Sequence, residues 1–284
     1  KTACNRLDSV LNYMGIRRLN RAQKNKSKER FLMSIEIGIQ LYSVRNYMHD
    51  VSELRSTLAN LRACGYTCVE TAGFAGLDVR TFAELLKEAD LKAVSMHFGL
   101  DHLVKEFDTL CDEIDVLGVE NCCVPGIPGN FYHQTQAGYT AVAEVLDAGA
   151  EKLAEKGIAL SYHNHCHEFY PVALSCGQRF LFDTAKTLHM QLDVGHCYAA
   201  RENPVEWLNR YNNRIETVHY KDVQFIDGKR HDVAIGEGEV DWVGVTESIK
   251  RSPCRYIIVE HEEFNRDVWD ICKTSCETIR SLLA

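Results

Sequence analysis

The chain's 284 residues, 45% hydrophobic and 25% charged, are ordinary globular values and leave room for one or two domains. No apolar run approaches the ~20 residues needed to cross a bilayer, so no membrane partner is expected and the composition reads as a soluble protein. The net charge of −8 is uneven: residues 1–34 carry nine Lys/Arg against two Asp/Glu, leaving −15 on the rest, a field that repels nucleic acid and disfavours highly phosphorylated substrates.

The leader has helical spacing around Leu7, Val10, Leu11 and Met14, yet Met33 directly precedes a strong strand. Residues 1–34 are therefore expected to be a disordered or non-native basic extension, with the fold in 35–284. From Ser34 onward short β-branched runs alternate with amphipathic ones. The first strand, IEIGIQLYS, is followed by DVSELRSTLANLRACG, where Asp50 and Glu53 resemble a capping box and Gly65 a helix stop. YTCVETAG, LKAVSMHFG, VENCCVPG, IALSYHNH, HMQLDVGH, IETVHYKD and YIIVEHE continue the series to eight. Helical patterns at Val79–Ala89, Val104–Val116, Ala137–Lys156, Pro204–Arg210, Trp242–Lys250 and Phe264–Leu283 lie between or after them. Eight such repeats predict an α/β protein, a single (β/α)8 TIM barrel.

Cysteine usage agrees with a reducing interior. Twelve cysteines occur without any C-x-x-C pair, Cys64 and Cys68 four apart and Cys122 beside Cys123, and read as small core hydrophobes in a cytoplasmic protein.

Side chains alternate across a strand, so parity sorts each run into two faces. Leu160, Tyr162, Met190, Leu192, Val218, Tyr220, Ile257 and Val259 belong to the helix-facing set. The opposite set carries Ser161, His163 and His165; Gln191 and Asp193; Thr217, His219 and Lys221; Ile258, Glu260 and Glu262. His163, His165, Asp193, His219 and Glu260 thus converge at the C-terminal rim, where barrels of this kind place their active sites. Gln40, Glu70 and His97 end strands one to three. Buried imidazoles and carboxylates this close are costly without a shared cation, and mixed nitrogen and oxygen donors suit Mn²⁺, Zn²⁺ or Co²⁺ better than Mg²⁺ or Ca²⁺.

GIQLYSVR, YHNHCHEF, LDVGHCYAARENPVEWLNRYNNRIETVHYKD, GEGEVDW and VEHEEF, in this order, resemble the sugar phosphate isomerase/epimerase family of xylose-isomerase-like barrels, related to the endonuclease IV type. The resemblance implies one divalent cation, commonly Mn²⁺, held by Glu, Asp, His and Glu from strands five to eight. Asp193, His219 and Glu260 match the last three. The first position is His163, with Glu168 as an alternative oxygen ligand. Family epimerases use two metal-bound glutamates, so the resemblance here leaves Glu260 with His165 as the catalytic pair. It also implies a substrate contact from His196 in the D-x-x-H motif. Lys221 can neutralise an alkoxide or bind a hydroxyl, and either it or His196 could equally orient the ligands; His97 and Glu70 are expected as pocket wall and Gln40, Tyr42 and Arg45 as sugar contacts from strand one, while His167 and His261 are left outside the site. The implied activity is a metal-dependent isomerase or epimerase of a small sugar or keto-sugar, working through an enediolate, with a dehydratase or lyase of a keto-inositol or 3-keto-glycoside as the alternative and a homo-oligomer as a possible assembly. Glu237 and Glu239 in the loop after strand seven favour an unphosphorylated substrate.

Overall fold

The computed structural model describes residues 35–127 and 134–284. The helix expected in the basic leader lies outside the described residues. Eight strands form the frame: β1 (Glu36–Gln40), β2 (Cys68–Ala72), β3 (Lys92–His97), β4 (Asn121–Val124), β5 (Ala159–His163), β6 (His189–Gln191), β7 (Thr217–Tyr220) and β8 (Tyr256–Val259). They make one parallel sheet in the order β6-β5-β4-β3-β2-β1-β8-β7. Its two ends meet through a parallel bridge between Asp193 and His219, so the sheet curls into the expected barrel.

Helices return the chain between strands, and most begin at a side-chain cap. Asp50 accepts from the amide of Glu53 at the start of Val51–Cys64, and Gly65 ends that helix at φ 103°. Glu53 reaches back to the amide of His49 rather than to Asp50, so the capping box is half formed. Asn203 accepts from Val205 ahead of Pro204–Arg210. The region expected as one helix over Val104–Val116 is two, Leu100–Lys105 and Phe107–Leu117, broken at Glu106. Gly177–Thr184, which no sequence pattern announced, connects β5 to β6.

The alternation holds. Leu160, Tyr162, Met190, Leu192, Val218, Tyr220, Ile257 and Val259 are buried in the large core between strands and helices. Residues of the other parity fill the barrel interior, where Cys68, Val94 and Ile258 form a small apolar layer of their own. A side chain at Gly38 would meet Cys68 Sγ and Ile258 Cδ1, both at 2.9 Å, which is why β1 carries glycine there. All eight strands point the same way, so their C-terminal ends share one rim.

Candidate metal centre and cavity

Above the apolar layer the interior turns polar. Glu70 is fully buried on β2 and accepts from Gln40 Nε2 (2.8 Å), Gln191 Nε2 (2.6 Å) and His219 Nε2 (2.6 Å), with His97 Nε2 at 2.9 Å. Gln191 also donates to Thr217 Oγ1 at 2.9 Å. Burial alone would raise the Glu70 carboxyl, but His97 and His219 outweigh it and hold it well below the ordinary carboxylate range.

The next layer is the donor cluster. One ligating atom from each of His163, Asp193, His219 and Glu260 lies within 4.8 Å of all the others, and all four side chains are buried. Two imidazoles and two carboxylates are a donor set that a four-coordinate transition ion accepts. The surroundings fit one. His163 Nδ1 and Asp193 Oδ2 are buried without hydrogen-bond partners, Lys221 Nζ being 3.5 Å from the latter. His219 gives Nε2 to Glu70 and turns Nδ1 toward Glu260 Oε2 at 3.2 Å, the carboxylate–histidine arrangement that leaves one nitrogen for a metal.

Charge balance explains the neighbours. Burial would raise Glu260, yet Lys221 and His219 keep it well below the usual carboxylate value. Burial would lower His219, but Glu70 and Glu260 push it up to about 9, and the Lys221 ammonium supplies positive charge beside the carboxylates. Lys221 Nζ is fully buried and touches Glu260 Oε2 (3.1 Å), Glu262 Oε2 (2.8 Å) and His196 Nε2 (3.1 Å).

A cavity of about 430 Å³ opens onto this cluster, lined by Tyr42, His97, Phe98, His163, His165 and Glu260 among others. That is within the ~300–1,000 Å³ typical of small-ligand sites. A larger depression at the opposite rim is lined by Arg62, Asp90, Glu36 and Lys92, which pair with one another and present no convergent donor set.

The structure sorts the remaining expected residues. His165 lines the cavity, and burial together with His196 lowers its pKa to about 4, so it is a neutral imidazole near pH 7. Gln40 and Glu70 lie beneath the cavity, and Lys221 and His196 are fastened to carboxylates, so these four act on other side chains rather than forming the cavity wall. Glu168 does not enter the four-residue cluster. It groups with His165 and His167 instead, its Oε1 accepting from the Tyr162 hydroxyl (2.5 Å) and its Oε2 from the His165 amide (2.8 Å). Arg45 lies outside, with its guanidinium over Tyr42 and donating to the Glu262 carbonyl. Glu237 and Glu239 do not line the cavity either: they face Arg266 and the Phe225 amide, and so give no account of phosphate discrimination. Three contributors were missed. Glu262 shares the parity of Glu260 and lines the cavity, while Arg230 reaches His196 Nδ1 at 3.0 Å from a hairpin, beside Cys166 Sγ at 3.3 Å from the same nitrogen.

Eight parallel strands with a histidine and carboxylate cluster at their C-terminal rim define a xylose isomerase-like barrel, and residues 58–282 match that family. The chain belongs to the xylose isomerase-like TIM barrel family. Among characterised relatives, the inosose dehydratase of Lacticaseibacillus casei is 24% identical over 272 residues, covering 81% of this chain and 91% of that enzyme. The inosose dehydratase of Clostridium botulinum (strain Alaska E43 / Type E3) is 23% identical over 186 residues, 59% of this chain, which spans about three-fifths (62%) of that relative's length. In structure, a sugar phosphate isomerase/epimerase from Parabacteroides distasonis ATCC 8503 superposes with a TM-score of 0.75 at 19% identity, covering 88% of this chain and 96% of its own. The IolI protein with a bound zinc atom superposes at 0.66 and 15% identity, covering 88% and 98%. Among the described residues no helix is long and apolar enough to cross a membrane.

Proposed function

We propose that this protein is a metal-dependent dehydratase of a cyclic polyol ketone of the inosose type. The observation that carries the reading is His163. Where a two-carboxylate epimerase needs a second metal-bound glutamate, this chain buries an imidazole, leaving Glu260 as the only carboxylate of the four-residue cluster that also lines the cavity. Epimerisation requires bases on both faces of the substrate, whereas elimination requires one base and one path for the departing hydroxyl. Sequence reasoning alone placed isomerisation first; the donor set, and alignment with an inosose dehydratase over 81% of the chain, support the reverse order.

His163, Asp193, His219 and Glu260 would hold the cation, and the two-imidazole, two-carboxylate set favours Zn²⁺, Co²⁺ or Mn²⁺. When bound, such an ion supplies Lewis acidity that makes a C–H next to a carbonyl easier to deprotonate. Glu260, held as an anion by Lys221 and His219, takes that proton. The electron pair of the broken C–H bond forms the new C=C as the C–O bond of the neighbouring hydroxyl breaks. His165, just past the end of β5 and three strands along the barrel from β8, manages the proton with which that hydroxyl leaves as water. Lys221, itself paired with Glu262, holds Glu260 in place.

The test is to incubate metal-loaded protein with a panel of inososes and keto-sugars in deuterated water. Loss of one water by mass together with exchange of the C–H supports the proposal, and an exchanged product of unchanged mass returns the reading to isomerisation. Glu260→Gln is expected to lower exchange at least ~100-fold, the usual range for a general base; unchanged exchange removes Glu260 from that role.

A further inference from the structure

The segment that supplies His163 carries a second donor group that the reaction above leaves unused. β5 ends at His163, and Cys166–Phe169 then wind into a single 3-10 turn. On an extended strand His167 and Glu168 would face opposite ways. The turn instead brings one ligating atom each from His165, His167 and Glu168 within 4.8 Å of one another. The two imidazole rings lie nearly parallel, 15° apart in plane with centroids at 5.7 Å. Glu168 is fixed by the Tyr162 hydroxyl and the His165 amide, and its Oε1 faces His167 Nε2 at 3.0 Å. His165 Nδ1 is buried with no hydrogen-bond partner. An open cavity of about 350 Å³, adjoining the one over Glu260 at Gly99, Pro125 and His165 and lined also by Gly126, Ile127 and His167, leads to the group and leaves room for an ion's waters. Two imidazoles and a carboxylate with open positions are a donor set for Zn²⁺ and its neighbours.

We propose that His165, His167 and Glu168 form a second divalent-metal site, weaker than the four-residue site, whose occupancy stops His165 from carrying protons. Its weakness follows from three donors instead of four and from His167, which is half-buried where the four-residue cluster is closed. The second clause rests on the proposed reaction and on the chemistry of imidazole. Once either ring nitrogen binds a metal, the other carries the remaining hydrogen and has no lone pair to accept a proton. Whichever nitrogen of His165 binds, its proton transfer ends. The first equivalent of metal therefore activates and an excess inhibits, and this second site lies in the same segment as a ligand of the first.

The experiment uses tag-free full chain, stripped with a chelator and dialysed against rising Zn²⁺, with bound metal measured by elemental analysis. Wild type is expected to fill in two resolved steps of about one equivalent each. His167→Ala should keep the tight step and lose the weak one, and Asp193→Ala should do the reverse, each variant first shown to be folded by circular dichroism. A single step in wild type, or two steps in His167→Ala, overturns the site. The same titration followed by loss of water from the substrate should show inhibition across the second step in wild type and none in His167→Ala; inhibition that is absent in wild type overturns the switch while leaving the site. Failure of every ketone to react would refute the proposed function alone, because the two-step stoichiometry does not depend on turnover.

Discussion

Glu70 touches neither cavity, yet it selects the tautomer of His219 that leaves Nδ1 free for a cation. It does so while accepting from Gln40, Gln191 and His219, with His97 close by, so both of its oxygens are engaged. Glu70→Gln puts an amide N–H₂ where one of those donors must go, and the ring of His219 loses its anchor. The expected result is a fall in metal affinity of ~10–100-fold, as for other outer-shell carboxylates, read by competition with a chromophoric chelator. Asp193→Ala and His219→Ala remove a ligand outright, and purified protein should lose the metal of the four-residue site; normal content in both variants would dismiss the cluster as a metal centre. At this scale much was legible, because the inward parity of His163, Asp193, His219 and Glu260 is a local property of each strand. What β2 sets against β7 was not, since it depends on how the barrel staggers its strands. Glu262 was visible by parity and went unassigned for want of a partner, which Lys221 supplies only in three dimensions.

Elements were read best where caps and periodicity agree, and worst where a helix starts without a cap. Gly177–Thr184 begins after Cys176, which makes no side-chain cap, and so left no mark in the sequence. The last helix begins at Val268, where Asp267 accepts from Trp269, and not at Phe264. The hairpin Asp222–Ile226 with Lys229–Val233 did leave a mark: Asp227-Gly228 are both at positive φ, 50° and 75°, the Asp-Gly turn that joins adjacent strands. Passing over it hid Arg230. The hairpin and the GEGEVDW loop are joined at Asp222, whose buried carboxylate accepts from the amides of Val223, Gly236 and Gly238 and from Trp242 Nε1. Asp222→Ala strands several of these donors, and since each buried one left unpaired costs ~1–3 kcal/mol, a loss of at least ~2 kcal/mol is expected in denaturant unfolding. A change within ~0.5 kcal/mol, the size of an ordinary surface substitution, would show that the loop is held elsewhere.

The barrel as a whole closes unevenly. Seven strand pairs are joined by ladders, the one between β2 and β3 shifting register between Val69 and Glu70, while β6 and β7 are the two ends of the sheet. Among the described residues they meet through the Asp193–His219 bridge, with the His219 amide donating to the Leu192 carbonyl at 2.9 Å, and through the Gln191–Thr217 side-chain bond inside. Asn164 continues the β5–β6 pairing by imitating a backbone, accepting from the Asp193 amide at 3.0 Å and donating to its carbonyl at 3.2 Å. The two residues of the bridge are also two members of the donor cluster, so an ion held there joins the strands where the backbone joins them least. Binding to the folded state alone at a free metal concentration 100-fold above Kd adds ~2.7 kcal/mol, which for a domain of this size raises Tm by roughly 5–10 °C. A general stabiliser would slow amide exchange everywhere, whereas a staple acts at its seam. On chelation, hydrogen–deuterium exchange should therefore accelerate first in 189–193 and 217–221, with β1 to β4 little changed; equal acceleration around the barrel would mean that the ion, if bound, does not close it.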